Sequence, residues 1–280
     1  MIIRFWGVRG SIPRPGPKTL KYGGNTACIE VRCGDTLMIF DAGTGIVELG
    51  EDLMHRRSNA ENNDRKITGH IFISHFHWDH IEGFPFFVPV HVPGNEFDVY
   101  GIPQLEKTIN TTLRNQMAEP NFPITVDDFA ATLRFHDLDS GNTVELNGIK
   151  IIVGELNHPG GCMCYRLECD EKVFVYASDT EHCVERDPTL ITFARDADIL
   201  VYDGMYAPEQ YLGLWDNVSR ESWGHSTWEA AVSIAEAANI KHLILFHHGN
   251  DDSIIEEMQA SAREKFPNTT AAYEGLEIEI

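Results

Sequence analysis

The sequence predicts an α/β fold, because short β-rich runs alternate with segments of helical periodicity along the chain. The 280 residues are 42% apolar, with 23 Gly and 13 Pro spread among them, so the chain is long enough to bury a sizeable core. No internal repeat, low-complexity tract or composition shift marks a domain boundary. We therefore expect a single domain over residues 1–280.

The first part of the chain predicts one sheet with a helix in its connections. Its elements are, in order, strands at 2–6, 27–33 and 36–43, a helix at 44–57, an exposed loop at 58–66 and a strand at 67–75. Regularity weakens between about 91 and 140, where one helix is predicted at 103–117 and a Pro-broken apolar segment at 119–131. We expect this region to form a lid insertion.

The second part of the chain again alternates strands and helices. Its elements are strands at about 149–155, 163–169 and 172–178, a short helix near 188–195, a strand at 198–203, a helix at 227–238, a strand at 242–247 and a closing helix at about 251–264. This order supports the α/β class.

Charge and composition exclude several classes of protein. The chain has 22 Lys and Arg against 43 Asp and Glu, a net charge of −21, which argues against a broad nucleic-acid footprint but allows a small anion held by metal. No run approaches the roughly 18 apolar residues of a membrane span, and the first residues lack the apolar core of a secretory signal. The six cysteines include no CxxC pair. We expect a cytoplasmic protein with reduced thiols.

The strongest motif is HFHWDH at residues 75–80. Period two places His75, His77 and Asp79 on one side as the chain leaves the predicted strand, and His80 follows as the backbone turns. Imidazole and carboxylate are ligands that Zn²⁺, Mn²⁺ or Fe accept. This spacing suits two metals.

Further ligands are needed, because one metal site takes three or more. Three later strands end in candidates, which are His158, Asp179 and His247. Their positions fit the rule that open α/β sheets carry sites at the carboxyl ends of strands. Taken singly, these residues could be a turn residue, a helix cap and a packed imidazole. Together with HFHWDH they predict a metal centre.

At these residues the sequence resembles the metallo-β-lactamase superfamily, whose HxHxDH motif matches residues 75–80. The resemblance covers about residues 1–250 and implies a four-layer αβ/βα sandwich with two divalent metal ions, Zn²⁺ first, Mn²⁺ or Fe as alternatives. The implied ligands are His75, His77 and His158 for the first ion, Asp79, His80 and His247 for the second, and Asp179 as the bridge, with His248 the alternative to His247. Asp41, in FDAGTG, would orient these ligands or form an Asx turn before Gly43.

A second motif, GHST at residues 224–227, precedes a predicted helix. Ser226 and Glu229 have the spacing of a capping box, which would place His225 at a helix N-terminus, where an anion is favoured. His225 would then contact a scissile phosphate or protonate the leaving alkoxide. The alternative is that His225 only precedes a capped surface helix.

GHST, the alanine-rich helix after it and the strand HLILFH resemble the phosphodiesterase branch of that superfamily. This branch includes tRNA 3′-processing endonucleases and smaller relatives that cleave cyclic nucleotides. The resemblance implies that a carboxylate pairs with His225, and Asp203 in YDGMY matches that position, although the family often has Glu there. Asp203 could instead be a strand-end turn residue. The candidate catalytic residues are His225, Asp203 and Asp79.

The substrate predicted from the sequence is a small cyclic nucleotide, 3′,5′ or 2′,3′, and not a nucleic-acid polymer. Residues 4–31 resemble bacterial proteins regarded as cyclic-nucleotide phosphodiesterases. A tRNA-processing enzyme would need a basic or Gly-rich arm, but the only basic residues between His80 and His158 are Lys107, Arg114, Arg134 and Lys150. Apolar residues dominate there instead, namely those at 84–87 with Met117, Phe122 and Pro123, and they favour the core of a small cap over a base-stacking surface.

Three alternatives remain at this point: a tRNA 3′-processing endonuclease, a diiron redox or gas-sensing module, and a lactonase or thioesterase. The diiron branch tends to have Glu where this chain has His77, which favours hydrolysis. A lactonase or thioesterase would not require His225 at a helix N-terminus. The resemblance also allows a homodimer, and Arg9, Ser11 and Asn25 lie in loops that could face the site.

Overall fold

The computed structural model describes residues 1–59, 66–104, 107–182 and 186–280. Within them, seven strands form a first sheet in the order β14-β1-β2-β3-β4-β5-β6. These strands are β1 (Ile2–Gly7), β2 (Cys28–Cys33), β3 (Thr36–Phe40), β4 (Thr68–Phe72), β5 (Glu96–Gly101), β6 (Thr132–Asp137) and β14 (Glu277–Glu279). The sheet is mixed. The pairs β14–β1, β1–β2 and β2–β3 are antiparallel, whereas the pairs β3–β4, β4–β5 and β5–β6 are parallel.

A second sheet of seven strands has the order β13-β12-β11-β10-β9-β8-β7. Its strands are β7 (Thr143–Leu146), β8 (Ile149–Leu156), β9 (Cys162–Cys169), β10 (Lys172–Ala177), β11 (Ile199–Asp203), β12 (His242–Phe246) and β13 (Thr269–Ala271). Strands β10 to β13 are parallel, whereas β7, β8, β9 and β10 pair antiparallel.

The α-helices of the described residues lie in the connections between these strands. They are α1 (Gly45–Asn59), α2 (Trp78–Ile81), α3 (Ile109–Gln116), α4 (Pro188–Ala194), α5 (Pro208–Tyr211), α6 (Trp228–Ala237) and α7 (Asp252–Lys265). Short 3₁₀ turns occupy Phe84–Phe86, Val88–His91 and Val126–Asp128. None of the described helices combines the length and the apolar character of a membrane span.

Strand periodicity explains the layers. In β3, Met38 and Phe40 belong to the core between the sheets, while Leu37 and Ile39 belong to the core beneath α1. The Phe40 ring lies 5.6 Å from Tyr165 of the second sheet. On the far side, α4, α6 and α7 pack on the outer face of the second sheet. The predicted four-layer αβ/βα sandwich is confirmed.

The parallel strands bring their carboxyl ends to one edge of the sandwich. Phe40 of β3 is in register with Phe72 of β4, so the chain following both strands leaves the sheet at the same level. In the second sheet, Asp203 of β11 is in register with Phe246 of β12. The segments that follow β3, β4, β10, β11 and β12 therefore meet at this edge.

The region 91–140 includes two strands of the first sheet. Strand β5 pairs with β4, β6 pairs with β5, and apolar residues of both strands pack in the core beneath α1. Between these strands, the described residues 102–104 and 107–131 lie outside the sheet, and a lid role for this region stays a prediction. Of the helix predicted at 103–117, only Ile109–Gln116 is observed as α3, because Thr108 is its N-cap. Residues 105–106 lie outside the described residues, as do 60–65 of the predicted loop.

Candidate active site

Four of the predicted ligands form a first cluster at this edge. His75 and His77 follow β4, His158 follows β8, and Asp179 follows β10. Nδ1 of His77 lies 2.9 Å from Nε2 of His75 and 3.0 Å from Nε2 of His158. Asp179 Oδ2 lies 3.6 Å from the His75 Nε2 and 4.0 Å from the His158 Nε2. Three imidazoles and one carboxylate thus converge on one point.

A second cluster lies on the other side of Asp179. His80 Nε2 is 3.3 Å from Asp79 Oδ2 and 3.3 Å from Asp179 Oδ2. His247 Nε2 is 3.0 Å from Asp79 Oδ2 and 3.2 Å from Asp179 Oδ1. Asp179 contributes to both clusters, so it is placed where a bridging carboxylate would be. The structure brings together all seven residues predicted as ligands.

The donor set fits divalent metal ions. With metal bonds of about 2.0–2.1 Å, neighbouring ligands of a tetrahedral zinc site are about 3.3 Å apart, and the separations of 2.9–4.0 Å within the first cluster bracket that value. Mixed imidazole and carboxylate donors also suit Mn²⁺ and Fe. Burial lowers the pKa of His75, His77 and His158, which favours the neutral imidazole that a metal requires.

A buried layer behind the second cluster orients His80. Asp41, fully buried, lies 2.7 Å from His80 Nδ1, which leaves Nε2 of that ring facing the cluster. Asp41 also accepts hydrogen bonds from the backbone N–H and the hydroxyl of Ser74 and from the Tyr176 hydroxyl, at 2.7, 2.8 and 2.6 Å. Asp41 thus makes the contact that the expected orienting role requires, and the role itself stays a prediction. Sequence reasoning missed Ser74 and Tyr176, for which no local motif gives a signal.

The loop before α6 fixes His158. The Nδ1 of His158 lies 2.8 Å from the carbonyl oxygen of Gly224, so an Nδ1–H donates there and Nε2 faces the cluster. Gly224 has a φ of +90°, and a Cβ at this position would lie 2.4 Å from His158 Nδ1. Glu181, another residue that sequence reasoning missed, accepts hydrogen bonds from the backbone N–H groups of Ser222 and Gly224, at 2.6 and 2.9 Å.

His225 and Asp203 form a pair beside the clusters. His225 Nδ1 lies 2.9 Å from Asp203 Oδ2 and 3.9 Å from Asp179 Oδ2. Asp203 is fully buried at the end of β11, where its two oxygens also accept hydrogen bonds from the backbone of Met205 and Thr180, at 3.1 and 3.2 Å. Burial opposes protonation of His225, but the Asp203 charge outweighs it and raises the pKa of His225 to about 9.

The predicted cap of α6 is wrong by one residue. Thr227 is the N-cap, and its side chain accepts a hydrogen bond from the backbone of Ala230. The Ser226 hydroxyl instead donates to the carbonyl of Thr180 at 2.6 Å, because Ser226 is fully buried beside that strand end. His225 therefore lies two residues before the N-cap. Its main polar contact is with Asp203 and not with the N-terminus of α6.

The two neighbouring histidines after β12 have different surroundings. His247, with a left-handed φ of +61°, joins the second cluster. His248 lies outside both clusters, where its Nε2 is 2.9 Å from the carbonyl of Ala272 and its ring is edge-on to Tyr22. Burial lowers the pKa of His248 to about 3, so it stays neutral. The geometry favours His247 over His248 as a ligand.

The opening segment contacts the second cluster through its backbone. The N–H of Ser11 donates to Asp79 Oδ2 at 2.7 Å. Arg9 is fully buried and does not face the clusters, since its guanidinium binds the carbonyl of Asn250 and the Asp252 carboxylate. Asn25 Oδ1 accepts a hydrogen bond from the hydroxyl of Thr44 at 3.1 Å.

The apolar residues considered for a cap divide into two groups. Phe84, Phe87 and Met117 are fully buried in the core beneath the first sheet's helices. Phe86 is exposed, and its ring lies 5.5 Å from that of Phe122. Phe84, Phe87 and Met117 are therefore core residues, as predicted.

With this geometry in place, the family assignment follows. The beta-lactamase superfamily domain matches residues 36–248, and the chain belongs to that superfamily. It is a metal-dependent hydrolase of the metallo-β-lactamase type, with both candidate metal clusters inside the matched region or at its end.

Relatives and solved structures agree with this assignment. Ribonuclease Z of Bacillus subtilis is 25% identical over 283 residues, which cover 84% of this chain and 88% of that protein. The metallo-beta-lactamase fold protein YhfI from Bacillus subtilis has a TM-score of 0.72 at 17% identity, covering 100% of this chain and 98% of that chain. Human tRNase Z, short form, has a TM-score of 0.64 at 18% identity, covering 100% of this chain and 99% of that chain. At 17% and 18% identity, the likeness to these two solved structures shows a common fold and nothing more.

Proposed function

We propose that this chain hydrolyses a phosphodiester bond. The observation that carries the proposal is the contact between His225 and Asp203 beside two clusters of metal-ligating side chains. In the proposed assignment His75, His77 and His158 hold one divalent ion, Asp79, His80 and His247 hold a second, and Asp179 contacts both. When bound, such a pair of ions supplies a nucleophilic water at neutral pH and neutralises charge on phosphate oxygens.

His225 acts as the general acid in this proposal. Its Nδ1 faces the Asp203 carboxylate at 2.9 Å, so Nε2 is the nitrogen available to a substrate. The buried charge of Asp203 stabilises the imidazolium, which donates its Nε2 proton to the leaving oxygen as the phosphorus–oxygen bond breaks. Asp203 positions the ring. Hydrolysis of a lactone or thioester does not require this pair, and His77 disfavours the diiron redox alternative.

The substrate that the relatives favour is an RNA. The curated relative described above is a ribonuclease Z, and a second ribonuclease Z, from Methanosarcina mazei, is 24% identical over 99% of this chain. We therefore place tRNA 3′ processing ahead of the cyclic-nucleotide substrate predicted from the sequence. The cyclic nucleotide stays a second candidate, because the net charge of −21 repels a polyanion. For the metal, zinc is the first choice. The cytoplasmic location and the homodimer both stay predictions.

The test uses full-length protein of measured metal content. It is assayed on precursor tRNA with a 3′ extension, on 3′,5′-cyclic AMP and on 2′,3′-cyclic AMP, beside His225→Ala and His77→Ala. We expect His225→Ala to retain its metal and to lose about 10²- to 10⁴-fold in turnover, whereas His77→Ala loses metal and activity together. Wild-type protein that holds two equivalents of metal and cleaves none of these phosphodiesters would overturn the proposal.

A further inference from the structure

An exposed tryptophan interrupts the predicted ligands of the metal centre. Trp78 lies between His77 and Asp79 and is the first residue of α2, yet its side chain is 81% exposed. The neighbouring histidines and aspartate turn into the clusters, so the indole is left at the surface directly beside them. An indole this exposed makes little contribution to the core. This position would allow the indole to contact a substrate bound at the clusters.

A second exposed tryptophan adjoins a residue that contacts the first cluster. Trp223 is 52% exposed and directly precedes Gly224, whose carbonyl accepts the hydrogen bond from His158. The backbone N–H groups on either side of Trp223, those of Ser222 and Gly224, both donate to the Glu181 carboxylate. The backbone that carries this indole is therefore fixed in place. A backbone segment held in this way loses little entropy on binding.

Arginines of the opening segment and of the loop before α6 are already paired with carboxylates. Arg14 pairs with Asp251, and Arg220 pairs with Asp216. The Arg220 guanidinium carbon also lies 5.8 Å from the centre of the Trp223 ring. Phosphate contacts from these side chains are correspondingly weak. In a chain with a net charge of −21, these arginines add little to the affinity for a nucleotide beyond what bound metal ions would supply.

We infer that Trp78 and Trp223 form a stacking platform for the nucleobase next to the scissile phosphate. This inference rests on the proposed phosphodiesterase function and adds a binding site for the base to it. An indole presents an apolar π-face on which any base can stack, whereas the candidate metal clusters can hold only the phosphate. The platform selects nucleotides over phosphodiesters that lack a base.

The test compares binding of AMP with binding of ribose 5-phosphate by isothermal titration calorimetry. AMP carries the 5′-phosphate that cleavage of a phosphorus–O3′ bond leaves, and ribose 5-phosphate has the same phosphate and sugar without the base. The proteins are metal-loaded wild type, Trp78→Ala, Trp223→Ala and Trp78→Phe, with Trp215→Ala as control. Trp215 is a comparably exposed indole, at 50%, that does not adjoin a predicted ligand.

We expect wild type to bind AMP about 10-fold or more tightly than ribose 5-phosphate. Trp78→Ala should lose most of this preference and Trp223→Ala part of it, with ribose 5-phosphate affinity and metal content unchanged. Trp78→Phe should keep the preference, because a phenyl ring still stacks, and Trp215→Ala should match wild type. Equal affinity of wild type for both probes, or a preference that survives in Trp78→Ala, would overturn the inference. A wild-type preference for AMP without phosphodiester turnover would instead overturn only the proposed reaction.

Discussion

Gly10 lies directly against the imidazole of His247. A Cβ built on Gly10 would lie 2.3 Å from both Nδ1 and Cε1 of that ring, closer than any real contact between such atoms. The next residue, Ser11, donates its backbone N–H to Asp79 at 2.7 Å. One short segment near the N-terminus thus holds two residues of the second cluster. That segment controls the second candidate metal site without supplying a ligand to it.

Gly10→Ala should disrupt the second site selectively. The added methyl group forces the His247 ring away from Asp79 and Asp179, while the first cluster keeps its geometry. We expect the metal content to fall from two equivalents to about one, and turnover to fall with it. Inductively coupled plasma mass spectrometry on the purified protein measures the content.

Ser11→Ala is the matched control for this variant. It removes an exposed hydroxyl and keeps the backbone N–H that binds Asp79. We expect two equivalents of metal in Ser11→Ala and a thermal midpoint close to that of wild type. Full metal occupancy in Gly10→Ala would show that His247 tolerates displacement and would contradict the role assigned to this segment.

The two adjacent histidines after β12 should respond differently to substitution. His247→Ala removes a proposed ligand and should lower the metal content. His248→Ala removes a buried hydrogen bond to Ala272 and leaves a cavity beside Tyr22, so it should cost about 1–3 kcal/mol of stability at full metal content. Metal analysis and urea unfolding distinguish the two. If His248→Ala lost metal and His247→Ala did not, His248 and not His247 would be the ligand.

The leaving group should reveal whether His225 donates a proton. A p-nitrophenolate leaving group departs without protonation, whereas the sugar alkoxide of a nucleotide needs a proton. His225→Ala should therefore lose about 10²- to 10⁴-fold on the nucleotide substrate and much less on bis(p-nitrophenyl) phosphate. Asp203→Asn, which removes the charge that supports the imidazolium, should show the same pattern to a smaller degree. Equal losses on both substrates would argue for a structural role of His225.

A buried carboxylate in β2 should make stability depend on pH. Glu30 accepts hydrogen bonds from the Trp6 indole, Arg32 and Arg56, at 3.0, 2.6 and 2.7 Å. Burial alone would raise the pKa of Glu30, but the two arginines lower it below the ordinary value of 4.5. A lowered pKa in the folded state means that the stabilisation is complete above pH 4.5 and is lost as the pH falls through the folded-state pKa.

Glu30→Gln should consequently be less stable than wild type by about 2–3 kcal/mol at pH 7. The difference should shrink below pH 4, because wild-type Glu30 is then increasingly protonated as well. Urea unfolding at pH 7 and at decreasing pH gives both free energies. A difference that does not change with pH would mean that the arginines do not lower this pKa.

Much of the fold could be predicted from the sequence because its signals are local. The short apolar run of β3 and the apolar spacing of α1 each depend on neighbouring residues, and both elements are observed. The short edge strands β7, β13 and β14 could not be predicted, since three or four residues carry too little periodicity. Strands β5 and β6 were not predicted, because the pairing of β5 with β4 and of β6 with β5 is a long-range contact that no local pattern records.

The same division applies to the site. The sequence by itself predicted the class of the fold, the candidate ligands within HFHWDH and three further candidates at strand ends, because strand parity and strand-end positions are local properties. Only the tertiary structure decided that His247 and not His248 faces Asp79, that Thr227 caps α6, and that Gly10 and Glu181 support the site. Those outcomes depend on contacts between the two sheets and their loops, which exist only once residues distant in the chain have packed together.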